Sequence, residues 1–265
     1  MTHRRITTPY TTVKPNTSMF PTKSAPSKLG ETFKAKKIGT NGTHIVLVLD
    51  ESGSMRPSRM ATISGVNEFM GVQKEAASKR DTPTFVSLYK FDGYNTNGVF
   101  IKRNILEVQD LTAADYDPTG MTNLHDAIFS VVAQINEDLG TRKKKNREAV
   151  MIAIMTDGEE NSSKIATVSD VKQIVEKCEG KDWSFMFLGA NIDSFQVGQT
   201  MGFKEHMTAQ YNTNNMGATL RTASAKMSEV NDLRLQGMGT QATYDASAFT
   251  SAERASMVEG QDEQS

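Results

Sequence analysis

Cysteine is almost missing from this chain: Cys178 stands alone among 265 residues. A disulfide framework or a cysteine-built zinc site within one chain is therefore excluded, and a reducing, cytoplasmic setting is the natural expectation. The four histidines (His3, His44, His125 and His206) are scattered, with no His-x-x-x-His pair. Apolar runs stop well short of the roughly 18–20 residues needed to span a bilayer, and the N-terminus has no apolar secretory core. A soluble protein is expected. Phosphate-binding Gly-x-x-x-x-Gly-Lys-[Ser/Thr], dinucleotide-binding Gly-x-Gly-x-x-Gly and nucleophile-elbow Gly-x-Ser-x-Gly motifs are all absent, which argues against the enzyme classes built on them. The formal net charge is only −1, so there is no whole-protein basic field of the kind nucleic-acid binders carry.

What is present divides into three parts. Residues 1–40 hold eight lysines and arginines against one acid, Glu31, together with Pro9, Pro15, Pro21, Pro26 and many Ser/Thr. This composition predicts a disordered basic arm. From residue 41 to about 238 the pattern is that of an α/β domain. Ile45-Val46-Leu47-Val48-Leu49 and Ala149-Val150-Met151-Ile152-Ala153-Ile154-Met155 are continuous apolar runs, as in strands buried on both faces of a parallel sheet. Phe85–Phe91 and Trp183–Leu188 read as further strands, and Gly98–Lys102 as a hairpin partner after the Asp92-Gly93 and Asn97-Gly98 turn signals. Helices are expected over 60–79, 122–139, 167–179, 193–201 and 215–236. Strands alternating with helices predict a three-layer, doubly wound, mostly parallel sheet with one antiparallel edge strand. Residues 239–265, rich in Gln, Ser, Ala and acids, read as a flexible acidic tail.

In such sheets ligands sit beyond the carboxyl ends of the strands, and two strands deliver an aspartate there. Asp50 opens the loop Asp50-Glu51-Ser52-Gly53-Ser54, whose carboxylate and hydroxyls on alternate residues offer hard oxygens suited to Mg²⁺ or Ca²⁺. Gly53 is expected to permit a sharp backbone path between the serines. Asp157, in Thr156-Asp157-Gly158, supplies a second carboxylate. Pro118-Thr119-Gly120-Met121-Thr122 puts the hydroxyl of Thr122 in a loop at a helix start. Two carboxylates and three hydroxyls make a weakly charged site, which would leave a cation electrophilic and seeking a carboxylate from outside.

These loops resemble the metal-ion-dependent adhesion site of a von Willebrand factor A domain, and the likeness runs from about His44 to about Leu188. Asp50, Ser52, Ser54, Thr122 and Asp157 match the family's five metal-site positions one for one. The resemblance implies a Rossmann-like fold, direct coordination by Ser52, Ser54 and Thr122, and aspartates acting through water. It also implies a non-enzymatic adaptor that binds an Asp or Glu of a protein partner through Mg²⁺, with Mn²⁺ or Ca²⁺ as alternatives. Phe187–Tyr211 resembles microbial members, some from phages. Intracellular microbial members act beside AAA-type ATPases, so such an ATPase or a phage or host complex is an expected partner, in the host cytoplasm or the virion.

Glu51 is expected to face solvent or else to touch the partner; Met55 and Met121, beside the metal loops, read as core residues or else as an adaptable apolar rim that meets the partner. Glu159 and Glu160 read as loop acids, Asp92 as a turn residue and His125 as a packed histidine. Asp126 sits in the first turn of its helix, favourable to the dipole. Arg142-Lys143-Lys144-Lys145 reads as a solvated turn. Two other functions stay open: a Mg²⁺-dependent phosphoester hydrolase using the strand-end aspartates, and a nucleic-acid-associated protein acting through the basic arm.

Overall fold

The computed structural model describes residues 41–259 apart from 144, 145, 182, 239 and 247. The basic arm, Lys144, Lys145 and the last residues of the acidic tail lie outside the described residues.

The apolar runs form strands where expected: β1 (Thr43–Asp50), β2 (Thr84–Phe91), β3 (Thr96–Asn104), β4 (Ala149–Thr156), β5 (Ser184–Gly189) and a short β6 (Thr208–Gln210). Their order across the sheet is β3-β2-β1-β4-β5-β6. All neighbouring pairs are parallel except β2 with β3, an antiparallel edge hairpin. This is the mostly parallel arrangement that alternating strands and helices predict. The central strands bury both faces, which is why they read as unbroken apolar runs and not as alternation.

One face is covered by α1 (Arg59–Ser78) and α5 (Met216–Leu235). There Ile45, Leu47, Leu49, Met151 and Met155 pack with Val66, Phe69, Leu220 and Met227. The other face is covered by α2 (Leu124–Gly140) and α3 (Val168–Glu179), with α4 (Ser194–Thr200) beyond them. Val46, Val48, Ile152 and Ile154 meet Ile128, Val131, Val171 and Val175 on that side. No described helix is long and apolar enough to cross a membrane.

Two segments depart from their sequence appearance. α5 looks polar, yet Ser224, Asn231, Lys226 and Arg234 on it are buried. Its partner is also polar: Gln73 of α1 donates to the Ser224 carbonyl at 2.7 Å and to the Ser228 hydroxyl at 3.0 Å, and Ser224 donates to the Phe69 carbonyl. Hydrogen bonding lets a polar stripe be buried at little cost, so periodicity of apolar residues understates this interface. The segment read as tail contains α6 (Thr240–Ala246) and α7 (Ser251–Val258). A Thr250/Glu253 capping box starts α7. Phe249 and Met257 are buried, Asn212 N–H donates to the Met257 carbonyl at 2.8 Å, and Lys226 pairs with Glu253 at 3.2 Å. Two apolar anchors in a polar stretch give no periodic signal; contacts with α5 and the chain beside β6 order the segment instead.

Candidate metal centre

β1 and β4 run side by side in register, Leu49 opposite Met155, so Asp50 and Thr156 end their strands level with one another. The Thr156 hydroxyl donates to Asp50 Oδ2 at 2.6 Å, and the Ser52 N–H donates to Asp50 Oδ1 at 2.7 Å. Asp50 is fully buried. Burial pushes its carboxyl up to about 6, against the opposing hydrogen bonds from Thr156 and Ser52. Asp157 is raised too, again chiefly by burial, with the bond from Ser54 working the other way.

The hydroxyls form a chain. Ser54 donates to Asp157 Oδ1 at 2.5 Å, which leaves Ser52 to donate to Ser54 across 3.0 Å. Thr122 joins from the third loop. A methyl group built on Gly158 would lie 3.2 Å from Thr122 Oγ1 and 3.5 Å from Ser54 Oγ, so these two hydroxyls flank one point. Asn161 holds Thr122 there, accepting from its N–H at 2.9 Å and donating its own N–H to the Thr122 carbonyl at 3.1 Å. Asp50, Ser52, Thr122 and Asp157 are buried while Ser54 is exposed, so the constellation opens to solvent past Ser54. Among the described residues no group of three or more His, Cys, Asp or Glu converges; the centre is distinctive for its hydroxyls.

Gly53 does not have the left-handed backbone expected of a sharp turn; that conformation belongs to Gly120, at φ 78°. Gly53 serves close approach instead, its N–H donating to the Gly120 carbonyl at 3.0 Å, where a side chain would sit 3.3 Å from the same oxygen.

Glu51 does not face solvent. It is buried, and its Oε1 accepts from Lys90 Nζ at 2.7 Å and from the Asp117 N–H at 2.6 Å. Lys90 Nζ also donates to the Asp115 carbonyl at 2.7 Å, and Thr119 N–H to the Glu51 carbonyl at 2.8 Å. The Glu51–Lys90 pair thereby clamps the loop leading to Thr122. Lys90→Met should lower stability by about 2 kcal/mol, because Glu51 keeps its burial and loses its counter-ion. Urea unfolding checks this; a loss near zero would show that the pair holds nothing.

Met55 is also not at the surface: it is 0 % exposed and belongs to the core under α1. The short helical turn Gly53–Met55 points it inward. Met121 is 48 % exposed, beside Thr122. Asp92 is a turn residue, its Oδ1 accepting from Tyr94 and Asn95 N–H. Asp126 accepts from the N–H groups of Lys164, Ile165 and Ala166, and Glu160 from those of His125, Ser162 and Ser163. These two acids fold the 159–167 loop over the start of α2. Burial would raise the Glu160 carboxyl, but the bonds from Ser163 and the backbone outweigh it and hold it below the usual range. Arg142 is not simply solvated, since it pairs with Asp138 at 2.7 Å and Glu148 at 2.9 Å.

Sequence reasoning passes over two tyrosines that build the site. Tyr116 donates its hydroxyl to the Asp50 carbonyl at 2.6 Å, and Tyr211 donates to the Thr156 carbonyl at 3.2 Å. Burial drives both phenols above their ordinary range. Neither lies in a periodic element, so only the tertiary structure brings them under the strand ends. Thr156, next to Asp157, was in view within its motif.

No protein-family model matches the chain. No curated protein matches it either. Solved structures do: the pilus adhesin SpaC from Lactobacillus rhamnosus GG matches with a TM-score of 0.53 and 15 % identity, over 71 % of this chain and 30 % of that one. A von Willebrand factor type A from Catenulispora acidiphila matches at 0.49 and 14 %, over 71 % of this chain and 43 % of that one. Manganese-loaded TRAP protein from Plasmodium vivax matches at 0.46 and 16 %, over 68 % and 72 %. The chain thus spans less than half of the first two proteins. At such identities the likeness is one of fold. Together with the sheet order and its single antiparallel edge, the match to SpaC gives this chain the Rossmann-like α/β architecture implied by the resemblance to von Willebrand A domains.

Proposed function

We propose that this chain is a protein-interaction module whose contact with its partner depends on a divalent cation, Mg²⁺ with Mn²⁺ or Ca²⁺ as alternatives, held by Asp50, Ser52, Ser54, Thr122 and Asp157. The observation that supports this reading is the meeting of hydroxyls and carboxylates from three separate loops: Ser54 bonds Asp157, Ser52 lies 3.0 Å from Ser54, and Ser54 and Thr122 both lie within 3.5 Å of a Cβ built on Gly158. The donor set fits a hard cation. The Ser54 hydroxyl spends its hydrogen on Asp157 and Ser52 spends its hydrogen on Ser54, so oxygen lone pairs remain for coordination. A cation bound there would supply an electrophilic position that a partner's Asp or Glu completes. Asp50 and Asp157 offset its charge only in part, and burial makes the ionised aspartates costly without it.

Phosphoester hydrolysis is less well supported. Lys90, an amine close to this edge, is engaged by Glu51 and the Asp115 carbonyl, and His125 Nδ1 lies 3.8 Å from the Glu160 carboxylate. The test is a pull-down from the native cell extract in Mg²⁺ and in EDTA, with wild type and Ser52→Ala/Ser54→Ala, paired with Mn²⁺ titration of both proteins. Retention of one partner by wild type in Mg²⁺ alone, with Mn²⁺ uptake lost in the variant, is expected. Equal recovery in every condition would overturn the proposal.

A further inference from the structure

Four of the residues in the proposed site are tied to one another directly. Asp50 accepts from the Ser52 N–H, Ser52 bonds Ser54, and Ser54 donates to Asp157. Among the described residues no hydrogen bond links the Thr122 side chain to any of them. Its hydroxyl is therefore aimed by the backbone that carries it.

That backbone is held from one direction. Thr122 is 3 % exposed, so both of its peptide groups need partners within the protein. They find them in the loop after β4. The Thr122 N–H donates to Asn161 Oδ1 at 2.9 Å, and the Thr122 carbonyl accepts from the N–H groups of Asn161 at 3.1 Å and Ser162 at 3.2 Å. The two bonds to the carbonyl come from peptide groups and survive a change of side chain. The bond to Oδ1 does not. Without that acceptor the Thr122 N–H would be buried and unpaired, and the loop would have to turn to find another partner. Such a turn moves the hydroxyl. The loop that holds Thr122 also carries Asp157, so one segment both supplies a carboxylate and aims a hydroxyl that belongs to another loop.

Resting on the function proposed above, we infer that Asn161 is a positioning residue of the cation site, whose side chain presets the Thr122 hydroxyl before the ion arrives and so sets affinity without touching the ion. The test is calorimetric titration with Mn²⁺ alone, with a melting curve for every protein. Wild type is compared with Asn161→Ala, Asn161→Asp, Gln73→Ala and Ser52→Ala/Ser54→Ala, in high salt to screen the charge that aspartate adds at this exposed position. Asn161→Ala should bind Mn²⁺ about tenfold more weakly, as loss of a ligand-orienting group does. Asn161→Asp keeps the acceptor and should restore wild-type affinity. Gln73→Ala removes bonds between α1 and α5 instead, so it should melt earlier and bind as wild type does. Wild-type affinity in Asn161→Ala, weak binding by Asn161→Asp, or an equal loss in Gln73→Ala overturns this inference and leaves the metal-dependent function standing. An Asn161→Ala that does not melt cooperatively overturns it too, since the residue would then hold the fold and not the site. No Mn²⁺ uptake by wild type, or undiminished uptake by the double serine variant, would bring down both.

Discussion

Asp50→Asn is expected to abolish divalent-cation binding and yet to melt several degrees above the metal-free wild type at pH 7. Both effects follow from one fact, the complete burial of a carboxylate at the end of β1. The amide keeps the pattern of hydrogen bonds. Its oxygen still accepts from Ser52 N–H, and its nitrogen can donate to the Thr156 hydroxyl, whose own hydrogen can turn to the Gly158 carbonyl 3.1 Å away. What disappears is the charge. Burial raises the Asp50 pKa from 3.8 to about 6, so the ionised form costs the native state about 3 kcal/mol at neutral pH.

The sign is that of a raised carboxyl. Stability associated with Asp50 is complete below about pH 3.8 and is lost as pH rises through about 6. The advantage of Asp50→Asn over metal-free wild type should therefore shrink by about 2 kcal/mol between pH 7 and pH 4. Excess Mg²⁺ should raise wild-type stability through binding to the native state and leave the variant unmoved. Thermal and urea unfolding with and without EDTA measure all of this. A variant no more stable than metal-free wild type at pH 7 would refute the burial cost; one that still binds Mn²⁺ would refute the role of Asp50.

His44→Gln is expected to produce a pH effect of similar size and opposite sign. His44 is buried near the start of β1, its Nε2 2.8 Å from Ser87 Oγ, and Ser87 Oγ also accepts from the Lys102 N–H. Burial, then the nearby Lys102, hold its pKa down at about 4, with Arg142 acting the same way and Glu148 and Asp138 opposing. Native protein thus resists a proton that the unfolded chain accepts at about 6.5. Stability associated with His44 is intact above pH 6.5 and falls as pH drops toward 4, by about 3 kcal/mol in all. The glutamine retains a hydrogen bond to Ser87 and has nothing to titrate. Wild type should lose about 3 kcal/mol relative to His44→Gln between pH 7 and pH 4. Parallel curves for the two proteins would mean that native His44 takes up a proton as readily as the unfolded chain does. In metal-free wild type the Asp50 and His44 contributions oppose one another over the same range, so each variant unmasks the slope of the other.

The sequence and the three-dimensional structure divide the account of this protein along a physical line. Local and periodic signals sufficed for the sheet. Ile45–Leu49 and Ala149–Met155 are apolar on every residue because both of their faces are buried, and that alone implies a parallel sheet with helices on each side. The motif loops were readable for a similar reason, since each is a short run of chemically distinctive residues after a strand. Asp50 and Asp157 could be assigned to the same sheet edge from topology.

Tertiary contact decided the rest. Glu51 and Met55 lie inside the same loop as the candidate ligands, and nothing in their spacing says that one is clamped by Lys90 while the other drops into the core. Lys90, Tyr116 and Tyr211 act on backbone or side-chain groups 39, 66 and 55 residues away. The polar helix α5 and the short helix α7 are stable through hydrogen bonds and a few buried side chains supplied by other elements, which composition alone reads as solvent-facing. Sequence therefore determined which residue types could form a hard-oxygen site and at which edge of which fold. Only packing determined which of their neighbours are spent holding the loops in place and which, Met121 and Tyr94 among them, are left at the surface, because burial depends on what the rest of the chain brings alongside.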